Sequence, residues 1–240
     1  MAFHWDWCSQ KGKARTENQD FAGIAYDNRF LFAVIADGVF SRPRSGELAQ
    51  KLVRRLVDRA IEMDGAVDVQ VVKKWIEDAF HELKDEKSAK SSASFLAAGF
   101  LKHKLVFAVH AGDCRVGTKN EEKQVVWKNQ VHSLATAIEP LSELALRAHP
   151  ARNQLTRIFS TKRYVEPDIT ELDHECLGGA VLVSDGFWAG LPMPMHQVAF
   201  NTDWTSSEIC DDDASRLLIE WKPGLKFESK AAANFYVRRK

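Results

Sequence analysis

The 240-residue sequence is poor in cysteine and lacks both a long apolar run and an excess of either charge. Its four cysteines, Cys8, Cys114, Cys176 and Cys210, are widely spaced and form no CxxC pair. This argues against a disulfide framework and against a zinc knuckle. No apolar run approaches the roughly 20 residues of a membrane span, and the N-terminus has no apolar core of signal-peptide length. We therefore expect a soluble cytoplasmic protein with reduced thiols.

The charges balance, with 33 basic and 33 acidic residues and a formal net charge of zero. A general nucleic-acid or membrane-surface binder would show a basic excess, so we expect neither of these partners. The length and the 45% hydrophobic content are typical of a single domain with a proper core. We interpret residues 1–221 as this domain and residues 222–240 as a basic C-terminal tail.

Strand-like and helix-like patterns follow each other in blocks along the chain. Apolar or alternating runs predict strands at 2–9, 20–26, 29–39, 94–101, 105–110, 115–118, 124–127, 169–172, 180–184 and 217–221. The turn pair Asp27-Asn28 predicts that the second and third strands form a hairpin. Two amphipathic helices are predicted between the third and fourth strands, one around Leu52 and Leu56 and one around Val72 and Ile76. Residues 132–161 are ambiguous and contain a short helix candidate at 141–148. This order is typical of an α+β protein with antiparallel sheets and helices packed outside them.

Acidic residues recur where the predicted strands begin or end. Asp37 follows an apolar run and precedes Gly38, and Asp185 stands in the same frame before Gly186. Three further sites repeat the pattern: Asp20 opens a strand, Asp113 separates two strands, and Asp212-Asp213 precedes the last strand. One Asp-Gly pair is commonly just a turn. Several suggest carboxylates that converge at one sheet edge, where oxygen ligands suit Mg²⁺ or Mn²⁺.

Arg15 lies in a polar loop just before Asp20, where its guanidinium could form two hydrogen bonds to phosphate oxygens. In isolation, Arg15 is better interpreted as a solvated charge, and Asp113 fits a turn-stabilising residue as well as it fits a metal ligand.

Five segments together resemble the metal-dependent protein phosphatases of type 2C, the PPM superfamily. In chain order they are GKARTENQD (12–20), FAVIADGV (32–39), HAGDCRVG (110–117), LVSDGFW (182–188) and DDAS (212–215). The resemblance implies an αββα sandwich, in which two stacked antiparallel β-sheets are flanked by helices. It also implies a binuclear Mn²⁺ or Mg²⁺ centre at one end of the sandwich.

The resemblance assigns a role to each matching residue by its motif position. The metal ligands would be Asp37 bridging both ions, Gly38 through its carbonyl, Asp185 and Asp212 on the second ion, Asp20 through water, and Asp113 at a possible third ion. Arg15 would bind the substrate phosphate, and Asp37, Asp185 and Asp20 would be the catalytic residues. A water activated by the metals would attack phosphoserine or phosphothreonine in a protein that a Ser/Thr kinase phosphorylates.

The sequence also departs from the family pattern around this site. Gln19 stands where many members have Glu, Phe40-Ser41 replaces a Gly-Gly pair, and Ala189 replaces an Asp linked to the third metal. Two alternatives therefore stay open beside the protein phosphatase. One is a non-catalytic relative that binds phosphoproteins, and the other is a phosphatase of nucleotides or small phosphoesters.

Overall fold

A computed structural model describes residues 2–64, 67–84, 90–122, 124–176, 178–191, 198–200, 210–222 and 232–240. The described strands are β1 (Ala2–Gln10), β2 (Asp20–Tyr26), β3 (Phe30–Gly38), β4 (Ser92–Leu101), β5 (Lys104–Ala111), β6 (Arg115–Lys119), β7 (Val125–Trp127), β8 (Phe159–Ser160), β9 (Asp168–Glu175), β10 (Ala180–Val183), β11 (Ala214–Lys222) and β12 (Phe235–Arg239). The described helices are α1 (Ser45–Glu62), α2 (Val69–Leu83), α3 (Leu134–Ile138), α4 (Glu143–Ala148) and α5 (Asp185–Trp188).

These strands form two sheets. One has the order β1-β11-β10-β6-β7, and the other has the order β12-β2-β3-β4-β5-β9 with β8 beside β4. Every pairing is antiparallel except that of β12 with β2. The hairpin predicted for β2 and β3 is present, and its turn is stabilised by Asp27, whose carboxylate accepts the backbone N–H groups of Arg29 and Phe30.

Apolar side chains form three layers, which explain why the sheets stack and carry helices. The helices α1 and α2 bury residues such as Leu52, Leu56 and Ile76 against the outer face of the larger sheet. A second layer, which includes Ile24 and Leu182, fills the space between the sheets. Burying one such side chain contributes about 1.5–3 kcal/mol, so the stacked arrangement is strongly favoured.

The third apolar layer covers the outer face of the smaller sheet. It contains Leu146 of α4 and Phe187 and Trp188 of α5. The order of layers is therefore helix, sheet, sheet, helix, and the predicted αββα sandwich is confirmed. Of the described helices, none has the length and apolar content needed to cross a bilayer.

The prediction of a basic tail after residue 221 is wrong for its final part. Residues 235–239 form β12, which pairs in parallel with the edge of β2. Tyr236 fastens this strand to α1, because its hydroxyl donates to Asp58 over 2.8 Å. The pairing partner lies more than 200 residues away in sequence, so no local pattern revealed it. Residues 223–231 of the predicted tail lie outside the described part of the chain.

Candidate active site

The acidic residues at the strand ends meet at one end of the sandwich. Asp20 and Asp37 are directly opposite each other in the pairing of β2 with β3. Asp185 lies where β10 passes into α5, and Asp113 lies in the turn between β5 and β6. A cavity of about 400 Å³ is lined by Arg15, Asp37, Gly38, Asp113, Asp185 and Asp212. Six of the seven predicted site residues thus line one cavity, and Asp20 lies beside it.

Asp20 is fully buried behind the cavity wall and is held by serine hydroxyls. Ser184 donates to its Oδ2 over 2.7 Å, and the hydroxyls of Ser215 and Ser184 lower the pKa of the carboxyl group. Burial nevertheless raises the pKa of Asp20 well above the ordinary aspartate range, and the charges of Asp213 and Asp185 add to this. Its Oδ1 is buried without a hydrogen-bond partner among the described residues.

The carboxylates that face the cavity raise one another's affinity for protons. Burial, followed by the charges of Asp20 and Asp185, raises the pKa of Asp37 well above its usual value. Burial and the nearby Asp185 raise the pKa of Asp113 to about 8. The pKa of Asp185 is raised by burial and by Asp212, although Arg152 opposes the shift from 3.5 Å away. This concentration of negative charge is costly unless protons or cations neutralise it.

Two arginines, Arg15 and Arg42, line the cavity, and Arg15 is paired with Asp212. Its Nε lies 2.7 Å and its Nη2 lies 2.6 Å from Oδ1 of Asp212. The guanidinium also lies 4.2 Å from the centre of the Phe40 ring, so Phe40 supports it by a cation–π contact. Among the described residues, no three acidic, histidine or cysteine side chains converge tightly enough to enclose one ion.

The chemistry of this donor set nevertheless fits hard divalent cations. The cavity offers carboxylate oxygens and the backbone of Gly38, and no described histidine or cysteine lines it. Such oxygen ligands are those that Mg²⁺ and Mn²⁺ prefer. The unpartnered Oδ1 of Asp20 and the mutual repulsion of the carboxylates are both relieved by a cation or its water shell.

Gly38 is required by the close approach of α1. A Cβ atom there would lie 2.6 Å from backbone atoms of Ser45 and Gly46 at the start of that helix. Real Cβ contacts are essentially never this short, so any larger residue would push the helix away. The opening turn of α1 is thus packed directly against the carboxylate-bearing end of β3.

Three residues of the site were missed by sequence reasoning. Asp213 accepts the N–H groups of Gly12 at 2.9 Å and Gln19 at 2.8 Å, so it fixes the loop that carries Arg15. Ser184 binds Asp20, and Arg152 faces Asp185. Asp213 is adjacent to the motif aspartate, whereas nothing in the local sequence distinguishes Ser184 or Arg152.

A sequence model of the family described as Protein phosphatase 2C matches residues 10–217. The chain belongs to the protein phosphatase 2C family. The predictions of a type 2C relationship and of a phosphoprotein phosphatase are thereby confirmed. The family match includes all seven predicted site residues and ends before β12.

Two bacterial protein phosphatases illustrate the similarity of this chain to known proteins, one in sequence and one in fold. Protein phosphatase PhpP of Streptococcus pneumoniae serotype 2 is 26% identical over 191 residues, which cover 73% of this chain and 75% of that protein. The Ser/Thr phosphatase Stp1 of Staphylococcus aureus superposes with a TM-score of 0.74 at 17% identity, covering 91% of this chain and 94% of that one.

A further solved structure is the catalytic domain of the serine/threonine protein phosphatase PstP in complex with two manganese ions. It superposes with a TM-score of 0.66 at 16% identity and covers 91% of this chain and 97% of that chain. At these identities the superpositions establish the fold, and they agree with the αββα arrangement described above.

Proposed function

We propose that this chain is a metal-dependent phosphatase that hydrolyses phosphoserine and phosphothreonine in proteins. The observation that carries the proposal is the convergence of four carboxylates and two arginines, Arg15 and Arg42, on a single cavity of about 400 Å³. The family relationship makes a phosphate monoester the natural substrate for such a cavity. Negative walls alone would repel a phosphate, so cations must be part of the active state.

We propose that two Mn²⁺ or Mg²⁺ ions are held by this cavity. Their ligands would be Asp37 between both ions, the Gly38 carbonyl, Asp185, Asp212 and, through water, Asp20. When bound, such ions polarise phosphoryl oxygens and lower the pKa of water to the neutral range. Asp113 is the candidate for a third ion, and its buried carboxyl, with a pKa of about 8, would need to lose its proton to bind one.

Arg15 is proposed to hold the substrate phosphate. Its guanidinium is oriented by the cation–π contact with Phe40 and forms an ion pair with Asp212. Phosphate binding would therefore replace one anionic partner of Arg15 with another. The exchange frees Asp212 for the metal site, and it leaves the arginine with an anionic partner throughout. Planar guanidinium groups match phosphate oxygens bidentately, which orients the phosphorus atom for attack from the carboxylate side.

The carboxylates of Asp37, Asp185 and Asp20 are proposed as the catalytic groups. Their raised pKa values show a shared tendency to hold protons, and cation binding would reverse that tendency. Once ionised, they can orient the attacking water and accept its proton. No side chain of this chain is required to form a covalent bond to phosphorus.

For the biological setting, we propose a phosphorylated protein as partner, a Ser/Thr kinase as the opposing enzyme, and the cytoplasm as the location. The similarity to PhpP and Stp1, both named as phosphatases, supports the class of substrate. The balanced charge supports recognition through the local site, because the chain has no net positive charge that would attract a polyanion.

The test is Mn²⁺-dependent hydrolysis of p-nitrophenyl phosphate and of phosphopeptides by the wild type and by Asp37→Asn and Asp185→Asn. We expect EDTA and either substitution to abolish hydrolysis. Asp211→Asn is the matched control, because Asp211 is exposed next to Asp212 and should leave activity unchanged. Full activity of Asp37→Asn would refute the assignment.

Two results of the same experiment would favour the alternatives. Phosphopeptide binding without hydrolysis and without Mn²⁺ binding in calorimetry would identify a non-catalytic relative. Faster hydrolysis of free nucleotides than of phosphopeptides would identify a phosphatase of small phosphoesters.

A further inference from the structure

The C-terminal segment carries a side chain, Asn234, that contacts the active-site region directly. Its Nδ2 donates to Ser9 Oγ over 2.8 Å and to the backbone carbonyl of Asp20 over 3.1 Å. Its Oδ1 accepts the indole N–H of Trp7 over 3.1 Å. Its own carbonyl accepts the N–H of Ala22. Asn234 lies beyond residues 10–217, which match the family, so the motif pattern does not include it.

The orientation of the Asn234 amide is determined by its neighbours. The indole of Trp7 can only donate, so it must face Oδ1. The carbonyl of Asp20 can only accept, so it must face Nδ2. Both N–H groups and the side-chain oxygen therefore have partners, and a flipped amide would lose the hydrogen bonds to Trp7 and to the Asp20 carbonyl.

This orientation also determines the direction of the next hydrogen bonds. Ser9 Oγ accepts from Asn234 and, over 2.8 Å, from the side chain of Asn18. A hydroxyl oxygen has two acceptor positions, so the Ser9 O–H must donate. Its partner is Ser215 Oγ at 2.7 Å. Ser215 thus accepts from Ser9, and its backbone N–H donates in turn to the hydroxyl of Ser184.

The neighbouring Ser184 completes the arrangement. Its Oγ accepts the N–H of Ser215 over 3.0 Å and donates to Asp20 Oδ2 over 2.7 Å. Asp20 is therefore held at its carbonyl by Asn234, at its N–H by Asn18 over 3.0 Å, and at its carboxylate by serine hydroxyls. The catalytic orientation of Asp20 is determined from three sides.

We propose that Asn234 is a positioning residue for Asp20, acting on its main chain directly and on its carboxylate through Ser9, Ser215 and Ser184. The C-terminal strand then has a catalytic purpose beyond covering the sheet edge. The proposal rests on the proposed phosphatase function, in which Asp20 acts beside the metal ions. Outer residues that orient metal-site groups typically change activity or metal affinity by 10- to 100-fold when replaced.

The chain offers a matched control on the same strand. Tyr236 docks β12 through its hydrogen bond to Asp58 and through the guanidinium of Arg54, which lies 4.5 Å from its ring centre. Tyr236→Phe removes the hydrogen bond that the hydroxyl donates to Asp58 and the one that it accepts from Arg238, and it leaves the contacts of Asn234 intact. Any effect that comes only from weaker strand docking should therefore be seen in Tyr236→Phe as well.

The experiment compares wild type, Asn234→Ala, Ser9→Ala, the double variant and Tyr236→Phe. Hydrolysis of p-nitrophenyl phosphate with Mn²⁺ provides kcat and KM, and calorimetry without substrate provides the Mn²⁺ affinity. We expect Asn234→Ala to lower kcat or the Mn²⁺ affinity about 10-fold, with KM changed less than about twofold. Ser9→Ala should cause part of the same loss, and the double variant should be no worse than Asn234→Ala. Tyr236→Phe should resemble the wild type.

Three results would overturn the proposal. They are a folded Asn234→Ala with wild-type kcat and Mn²⁺ affinity, an equal loss in Tyr236→Phe, and losses of Asn234→Ala and Ser9→Ala that simply add. Thermal unfolding checks that each variant is folded. If Asn234→Ala is not folded, the activity and Mn²⁺ affinity of Ser9→Ala test the proposal alone, because that substitution leaves β12 in place. An inactive wild type would instead refute the proposed function, so the two failures are distinguishable.

Discussion

Arg15 and Asp212 form a two-pronged ion pair across the mouth of the cavity, with both guanidinium contacts at or below 2.7 Å. Arg15, the proposed phosphate-binding residue, is thus hydrogen-bonded to Asp212, a proposed metal ligand. The pairing keeps a strong cation among carboxylates whose pKa values are raised by burial and by each other. Metal and phosphate binding should therefore be coupled, because each releases one member of the pair.

The first prediction concerns Arg15→Lys. Lysine keeps the positive charge but loses the planar fork that binds two oxygens at once. A hydrogen bond to a charged group is worth about 1.5–3 kcal/mol, so kcat/KM for a phosphopeptide should fall by about 10- to 100-fold. Steady-state kinetics measure the loss. Lys13→Arg is a suitable control because it changes an exposed cation in the same loop. Wild-type kinetics in Arg15→Lys would exclude bidentate phosphate binding.

A second prediction concerns Phe40, which replaces a small residue of the family pattern. Its ring lies 4.2 Å from the Arg15 guanidinium, and about half of the side chain is exposed. A cation–π contact at such a site contributes about 0.5–1 kcal/mol. Phe40→Ala should therefore raise KM for aryl phosphate by about two- to fivefold, with little change in kcat or in the free energy of unfolding. Phe40→Tyr should retain the wild-type KM, and a large fall in kcat for Phe40→Ala would point to a different role.

The third prediction concerns the stability of the metal-free protein. The pKa of Asp113 is about 8, and those of Asp20 and Asp37 are also raised, in each case mainly by burial. A carboxyl group with a higher pKa in the folded state contributes stability at low pH, and this is lost as pH rises through the folded pKa. Burial lowers the pKa values of His110 and His132 from 6.5 to about 4. Their contribution to stability therefore rises with pH, but only below pH 6.5. The free energy of unfolding in EDTA should therefore fall from pH 6.5 to 8.

Urea denaturation across this pH range provides the measurement. Asp113→Asn should flatten the slope, because it removes one group that titrates in this window. Saturating Mn²⁺ should raise the stability most at the upper end of the range, because metal ions bind the ionised carboxylates. A metal-free stability that increases from pH 6.5 to 8 would contradict the raised pKa values.

Elements whose signals lie within a short stretch of sequence were predicted, whereas elements that depend on contacts between distant parts of the chain were not. The hairpin of β2 and β3 and the helices α1 and α2 were predicted because their signals are local: alternating or helical periodicity and the turn residue Asp27. The strand β12 was missed because its partner β2 lies at the other end of the chain. The segment that contains α3 and α4 was ambiguous, since both helices are short.

The candidate site shows the same division between local and distant information. Asp37 with Gly38, Asp185 and Asp212 were predicted from repeated local motifs, and six of the seven predicted residues line one cavity. The hydrogen bonds from Asn234 and Ser184 to Asp20 join positions more than 160 residues apart. No pattern within a short window can contain such a contact.

The sequence by itself determined which residue types stand at the strand ends, and with them the acidic oxygen-rich chemistry of the site and the family relationship. Only the tertiary structure decided which of these groups form ion pairs or hydrogen bonds with each other in the folded protein. It pairs Arg15 with Asp212, buries Asp20 beneath serine hydroxyls, and brings Asn234 against the Asp20 main chain. The physical reason is that burial and electrostatic coupling depend on distances in space, and these are set only when both sheets have stacked.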